Sequence, residues 1–128
     1  MKELQERFLK YITTYTTSDE ESETVPSAAR ELDLAHILTA ELTDLGVNDV
    51  ILSKTGYVYG HIPATPGMEG HKSVAFIAHM DTAPDYPGEN VNPVFHENYN
   101  GSDVVLEGTG AILSVKDFPE LETLKGRA

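Results

Sequence analysis

Ser73-Val-Ala-Phe-Ile-Ala-His-Met-Asp-Thr-Ala-Pro-Asp85 is an apolar run that ends abruptly in a histidine and, two residues later, an aspartate. Val74 to Ala78 form a continuous apolar stretch, the pattern of a strand covered on both faces, so a buried strand is predicted over residues 73–78. Such a strand brings His79 and Asp81 to its carboxyl end, the edge of an α/β sheet at which ligands bind. Residues two apart share one side of an extended chain. Asp81 is therefore placed to accept from one imidazole nitrogen of His79 while the other faces a metal ion, as carboxylates that orient metal-bound histidines do. His-x-Asp alone is a common pair; its position at the end of an apolar strand, ahead of a Pro- and Gly-rich loop, makes it a candidate zinc-site fragment.

Outward from that stretch, the chain reads as helices followed by a hairpin. Leu4, Phe8, Tyr11, Ile12 and Tyr15 recur at spacings of three and four, predicting an amphipathic helix from residue 3 to about 17. The polar run Ser18-Asp-Glu-Glu-Ser-Glu-Thr24 breaks it as a loop. Ser27 is a candidate N-cap for a second helix ending near Leu45, with Leu32, Ala35, Leu38, Leu42 and Leu45 on one face and Gly46 as its stop. Residues 50–53 and 57–62 are predicted strands joined across Lys54-Thr55-Gly56. Pro63 to His71 is a connector, and Asp81 to Gly101, rich in Pro, Asn and Gly, is a loop of the kind that carries function. A strand over 103–106 and a short helix over 117–124 follow. The order predicts an α/β fold, the start of a domain with a mixed sheet, without the crossover units that would finish it.

The totals narrow the function classes. The 128 residues correspond to one domain or part of one, and 40% hydrophobic content allows a core. Cysteine is absent, so a metal would need histidine and carboxylate ligands. The formal charge of −12 argues against nucleic acid and against an anionic membrane surface as partners, and favours cations. No window approaches the ~20 apolar residues of a membrane span, and the N-terminal residues lack the apolar core of a secretory leader.

The longer string Phe76-Ile-Ala-His-Met-Asp-Thr-Ala-Pro-Asp85, with Gly88-Glu-Asn-Val-Asn-Pro93 just beyond, resembles the peptidase T family of bacterial tripeptide aminopeptidases, within the co-catalytic zinc exopeptidase and amidohydrolase superfamily. Arg7-Phe8 with Tyr11, Ser22-Glu-Thr-Val-Pro26, Phe95-His-Glu-Asn-Tyr99, and Leu113-Ser114 with Phe118-Pro119 extend the resemblance over nearly the whole chain. Val115 departs from it, since a proline is expected after the serine.

The resemblance implies a three-layer zinc-exopeptidase-like catalytic domain, of which residues 1–128 are the N-terminal portion, with the lid and remaining catalytic segments outside this sequence. It implies His79 as a zinc ligand and Asp81 as the catalytic-site carboxylate that orients it without binding metal. Two Zn2+ ions per complete site, a tripeptide substrate, a cytoplasmic location and a homodimeric parent are further implications. Since a catalytic zinc takes about three protein ligands, this stretch alone is expected to be inactive, with apolar surface exposed or covered by association. The alternatives are a related amidohydrolase acting on dipeptides or N-acyl amino acids, and an acidic binding module without catalysis.

Other residues have ordinary readings. His36 reads as a partly exposed or packing histidine of the second helix, His61 and His71 as solvated, and His96 as structural. Asp85 and Glu89 read as a solvated loop edge and residues 19–23 as an exposed acidic run. Asn100-Gly-Ser and Gly108-Thr-Gly110 read as turns.

Overall fold

Threonines decide where the first helix stops. Helix α1 spans Lys2–Ile12 in the computed structural model, which describes residues 2–127. The Thr13 amide still makes the helical bond to Leu9 O at 3.1 Å, but the Thr14 amide reaches Tyr11 O instead, and Lys10 O takes the Thr14 hydroxyl at 2.8 Å, so the helical ladder ends there. β-Branched residues also lose rotamer freedom in a helix. The predicted continuation to residue 17 is thus corrected: Thr16 and Thr17 turn extended instead.

Helix α2 spans Glu31–Asp44. Ser27 lies at its approach but does not cap a helix amide; its hydroxyl donates to Glu31 Oε1 at 2.6 Å, and the Ala28 amide donates to the same oxygen at 2.9 Å. At the other end, Gly46 adopts φ +77° and its amide reaches Thr43 O at 2.9 Å, the left-handed stop expected of that glycine. Strands β1 (Asn48–Leu52) and β2 (Val58–His61) form an antiparallel hairpin, with Ile51 opposite Tyr59 and Leu52 opposite Val58. Gly56 supplies the positive φ in the turn between them, where its amide donates to Ser53 O. A bulge at Asp49, itself at φ +53°, shifts the register between Asn48 and Ile51.

α2 lies against this hairpin, and Gly60 is tightly packed against Val47, the residue just ahead of β1, with Leu42 of α2 beyond. A methyl group there would fall 2.7 Å from Val47 Cγ1 and 3.9 Å from Leu42 Cδ1. The buried apolar residues among those described are Ala28, Leu34 and Ala35. Leu34, one turn before Leu38, is buried although it is not among the residues named for the apolar face, and Leu45, which is among them, is exposed. α1 is joined to α2 by polar contacts: Lys10 Nζ lies 2.8 Å from Glu41 Oε1, and the Tyr11 hydroxyl donates to Glu41 Oε2.

The strand predicted over residues 73–78 is not one. The segment forms no ladder, and Phe76 and Ile77 are each 96% exposed. An apolar run signals affinity for cover, but a strand exists only where a neighbour takes its backbone hydrogen bonds, and no described segment does so here. The two sheets are antiparallel hairpins, so the expected mixed sheet is absent among the described residues. The parallel pairing present is an isolated bridge between Thr17 and Thr82.

Residues 93–128 form a second compact unit, separate from residues 1–92. Strands β3 (Val104–Leu106) and β4 (Ala111–Leu113) pair across the Gly108-Thr-Gly110 turn, and a 3-10 helix spans Pro119–Leu124 where a short helix is predicted. Asn100 Oδ1 accepts from the Ser102 amide at 2.9 Å, making Asn100-Gly-Ser the turn expected of it. The Val115 amide donates to Asp103 Oδ1 at 2.8 Å, a bond that a proline at this position has no N–H to make.

Candidate functional site

His79 and Asp81 are in contact although the segment ahead of them is not a strand. His79 Nδ1 lies 3.2 Å from Asp81 Oδ1. An ionised carboxylate only accepts, so the imidazole donates through Nδ1–H and carries its free lone pair on Nε2. The His79 side chain is 83% exposed and that of Asp81 40%, so the ring is largely open to solvent while the carboxylate is partly covered. This arrangement does two things: it selects the tautomer able to bind a cation through Nε2, and it limits ring rotation without burying the ring.

What fixes Asp81 is a polar clasp that starts one residue later. The Thr82 amide donates to Thr16 O at 3.2 Å, and the Ser18 amide donates to Thr82 O at 3.0 Å, so the bridge grips Thr82 on both sides of its Cα. The two threonine hydroxyls, on Thr17 and Thr82, lie 3.0 Å apart. Thr16 and Thr17 are 3% and 7% exposed, in a chain with few buried residues of any kind. Gly88 closes the clasp from above: a Cβ there would sit 2.2 Å from Thr17 Oγ1 and 3.2 Å from Thr82 Oγ1.

Arg30, at the start of α2, closes it from below. Its Nε donates to Thr17 O, its Nη2 donates to Ser18 O at 3.3 Å, and its guanidinium lies 4.7 Å from the centre of the Tyr15 ring. Sequence reasoning overlooked Thr17, Thr82 and Arg30. The signal available was the extended β-branched tract Thr13-Thr-Tyr-Thr-Thr17 between a helix and an acidic loop, which suits a pairing segment better than a helix end.

The remaining candidates are dispersed. His36, His71, His96, Asp85 and Glu89 are exposed. His61 Nδ1 lies 3.9 Å from Asp49 Oδ2, a solvent-facing pairing. An open groove of about 1650 Å³ lies among residues of the β1–β2 hairpin and of segment 73–81, with His61, His71 and His79 along its lining. No three histidine or carboxylate groups among the described residues converge closely enough to hold a metal ion. His79 thus offers one donor of the three that a catalytic zinc commonly takes, and the residues present do not by themselves fit a complete metal site.

A second polar node lies at the α1–α2 junction. The hydrogen bonds from Lys10 and Tyr11 hold the Glu41 carboxyl below the usual glutamate range. Burial, then the hydrogen bond to Glu41 and its negative charge, push the Tyr11 phenol up.

No family model matches the chain. Curated relatives do. Over 128 residues it is 46% identical to the peptidase T of Clostridium acetobutylicum, covering 99% of this chain and 31% of that protein. It is 42% identical to the peptidase T of Listeria innocua serovar 6a, covering 98% of this chain and 31% of that protein. With the peptidase T of Geobacillus thermodenitrificans the identity is 45%, over 98% of this chain and 30% of the relative. The chain therefore spans under a third of the length of these relatives.

Proposed function

The chain belongs, over the stretch it covers, to the peptidase T family, and from that premise we propose that the whole protein is a zinc-dependent cytoplasmic aminopeptidase releasing the N-terminal residue of tripeptides. In this reading residues 1–128 are the N-terminal portion of a three-layer catalytic domain. His79 Nε2 is one metal donor, and Asp81 holds the imidazole in the tautomer that leaves Nε2 free. A pair of zinc ions, when bound, supplies a water acidic enough to attack a peptide carbonyl at neutral pH. The other ligands and the general base belong to sequence beyond this stretch.

The observation that carries the reading is the 3.2 Å contact between His79 Nδ1 and Asp81 Oδ1 on a largely exposed imidazole. The relatives, each a peptidase T, support the reaction class. The exposed Val74, Phe76 and Ile77 support the architectural part: an apolar segment leading straight to a ligand-bearing end is what a sheet interior presents when its neighbours lie elsewhere in the chain.

The test is hydrolysis by the full-length protein of tripeptides, dipeptides and N-acyl amino acids, before and after metal removal and zinc addition. Zinc-restored release of the N-terminal residue, fastest on tripeptides, is the expected result. Preference for an acylated amino acid would move the protein to the amidohydrolases of the same superfamily, and activity untouched by thorough chelation would end the zinc reading.

A further inference from the structure

We propose that Arg30 is a positioning residue for the His79–Asp81 pair, acting through the Thr16–Ser18 segment that grips Thr82; this rests on the reading of that pair given under Proposed function.

The argument begins with the direction of the carboxylate. Asp81 meets His79 through a single 3.2 Å contact, and both side chains are largely or partly open to solvent. Packing therefore does little to hold the carboxylate, and its aim depends on the backbone that carries it. That backbone is fixed next door, by the two hydrogen bonds that tie Thr82 to Thr16 O and to the Ser18 amide.

A two-bond bridge between isolated extended segments is weak by itself, since each net hydrogen bond contributes only about 0.5–1.5 kcal/mol and no ladder continues on either side. It needs one partner to be rigid. Residues 73–79 are exposed and form no backbone ladder, so rigidity has to come from residues 15–18. Arg30 provides it. The guanidinium is planar and presents its donors in a fixed fork, here directed at two successive carbonyls, Thr17 O and Ser18 O. Its face lies over Tyr15 at 4.7 Å, within the range of a cation–π contact. Because Arg30 is the N-cap of α2, its backbone is joined to a helix that packs on the hairpin and holds the buried Leu34 and Ala35. The path runs from helix to guanidinium, to two carbonyls, to the bridge at Thr82, to Asp81.

The chemistry selects arginine. A lysine places a single ammonium nitrogen where two carbonyls are met by separate nitrogens and gives up the planar face, so it retains charge without the fork. Positioning of this kind differs from general stabilisation in what it changes: turnover falls while substrate affinity and the remainder of the fold persist.

The experiment uses the full-length protein with Arg30→Met and Arg30→Lys, read by tripeptide kinetics, by hydrogen exchange of the Ser18 and Thr82 amides, and by exchange across α2. For Arg30→Met the expected loss in kcat is about tenfold, at the lower end of effects seen when groups that orient a ligand are removed, with KM changed less than about twofold. Protection at Ser18 and Thr82 should fall while α2 keeps its own, and Arg30→Lys should lie between Arg30→Met and wild type in both readouts. Unchanged protection at Ser18 and Thr82 would overturn the proposal. So would lost protection with full kcat, or an equal loss of protection throughout α2, which marks a purely structural role. Should wild type fail to cleave tripeptides, that result falls on the proposed function, and the exchange measurements alone decide for or against Arg30.

Discussion

Gly88 stands so close to Thr17 that a Cβ on the glycine would lie 2.2 Å from the threonine hydroxyl oxygen. No pair of non-bonded heavy atoms tolerates that separation, so a side chain at 88 forces the hydroxyl to swing away or the loop to lift. Either movement breaks the 3.0 Å contact between Thr17 and Thr82. Gly88→Ala should destabilise residues 1–92 by about 1–3 kcal/mol, as overpacking does. Adding Thr17→Ala removes the colliding oxygen, so a double-mutant cycle by denaturant unfolding should show coupling well above about 0.5 kcal/mol. Strict additivity would contradict the close approach.

Gly60 makes the same argument in an apolar setting. A methyl group there meets Val47 Cγ1 at 2.7 Å, under α2. Gly60→Ala is expected to cost about 1–3 kcal/mol, and Val47→Ala in the same chain to recover part of it by opening space. Thermal unfolding of the single and double variants checks this.

Removing His79 should separate chemistry from folding. Its side chain is mostly exposed, so His79→Ala should change unfolding free energy by less than about 0.5 kcal/mol. The same change should abolish tripeptide hydrolysis by the full-length protein. Asp81→Asn keeps an acceptor oxygen but loses the charge and the fixed tautomer, and should lower zinc affinity or activity about 10–100-fold. Retained turnover in His79→Ala would remove that residue from the reaction.

Acid and alkali should loosen the α1–α2 junction from opposite ends. Glu41 has a lowered pKa, so the folded chain keeps it ionised at pH values where the unfolded chain takes up a proton. Its contribution is complete above the ordinary glutamate range and is lost as pH falls through the lowered value. Tyr11 has a raised pKa, so its contribution is complete below the ordinary tyrosine range and is lost as pH rises through the raised value. Glu41→Gln should cost roughly 0.5–1 kcal/mol at neutral pH and flatten the acid limb of the stability profile, as measured by unfolding between pH 3 and 7. An acid limb identical to wild type would exclude Glu41 as its source.

The exposed apolar segment predicts association of residues 1–128 on their own. Val74, Phe76 and Ile77 lie beside unpaired backbone, a combination that templates pairing with another chain. Sedimentation should show concentration-dependent self-association, and Phe76→Lys should reduce it by placing a charge in the run. A monomer at all concentrations in both forms would count against this.

Elements whose signals are local were legible in the sequence. The hairpin was readable because Gly56 sits at its turn, and the end of α2 because Gly46 follows its last apolar residue. Segment 73–78 was misread because an apolar run reports a need for cover without naming what covers it. The end of α1 was misjudged because Thr16 and Thr17 obey a partner more than 60 residues away rather than their neighbours. β4 was missed because Ala111–Leu113 is too short to show a period. At the site, His79 and Asp81 were visible through their spacing of two. Arg30 and Thr17 were not, since nothing in a linear reading connects them to a motif so far along the chain.

The Thr17–Thr82 pairing also orders events in time. It joins positions 65 residues apart, and closing a flexible loop of that length costs about 4 kcal/mol of chain entropy before any constant term. The hairpin and α2 involve near neighbours and lie within that loop, so forming them first shortens its flexible part, and the bridge beside His79 is expected to close after them. By the same reasoning it is among the first parts to let go, and a transient opening would silence the pair long before the protein unfolds.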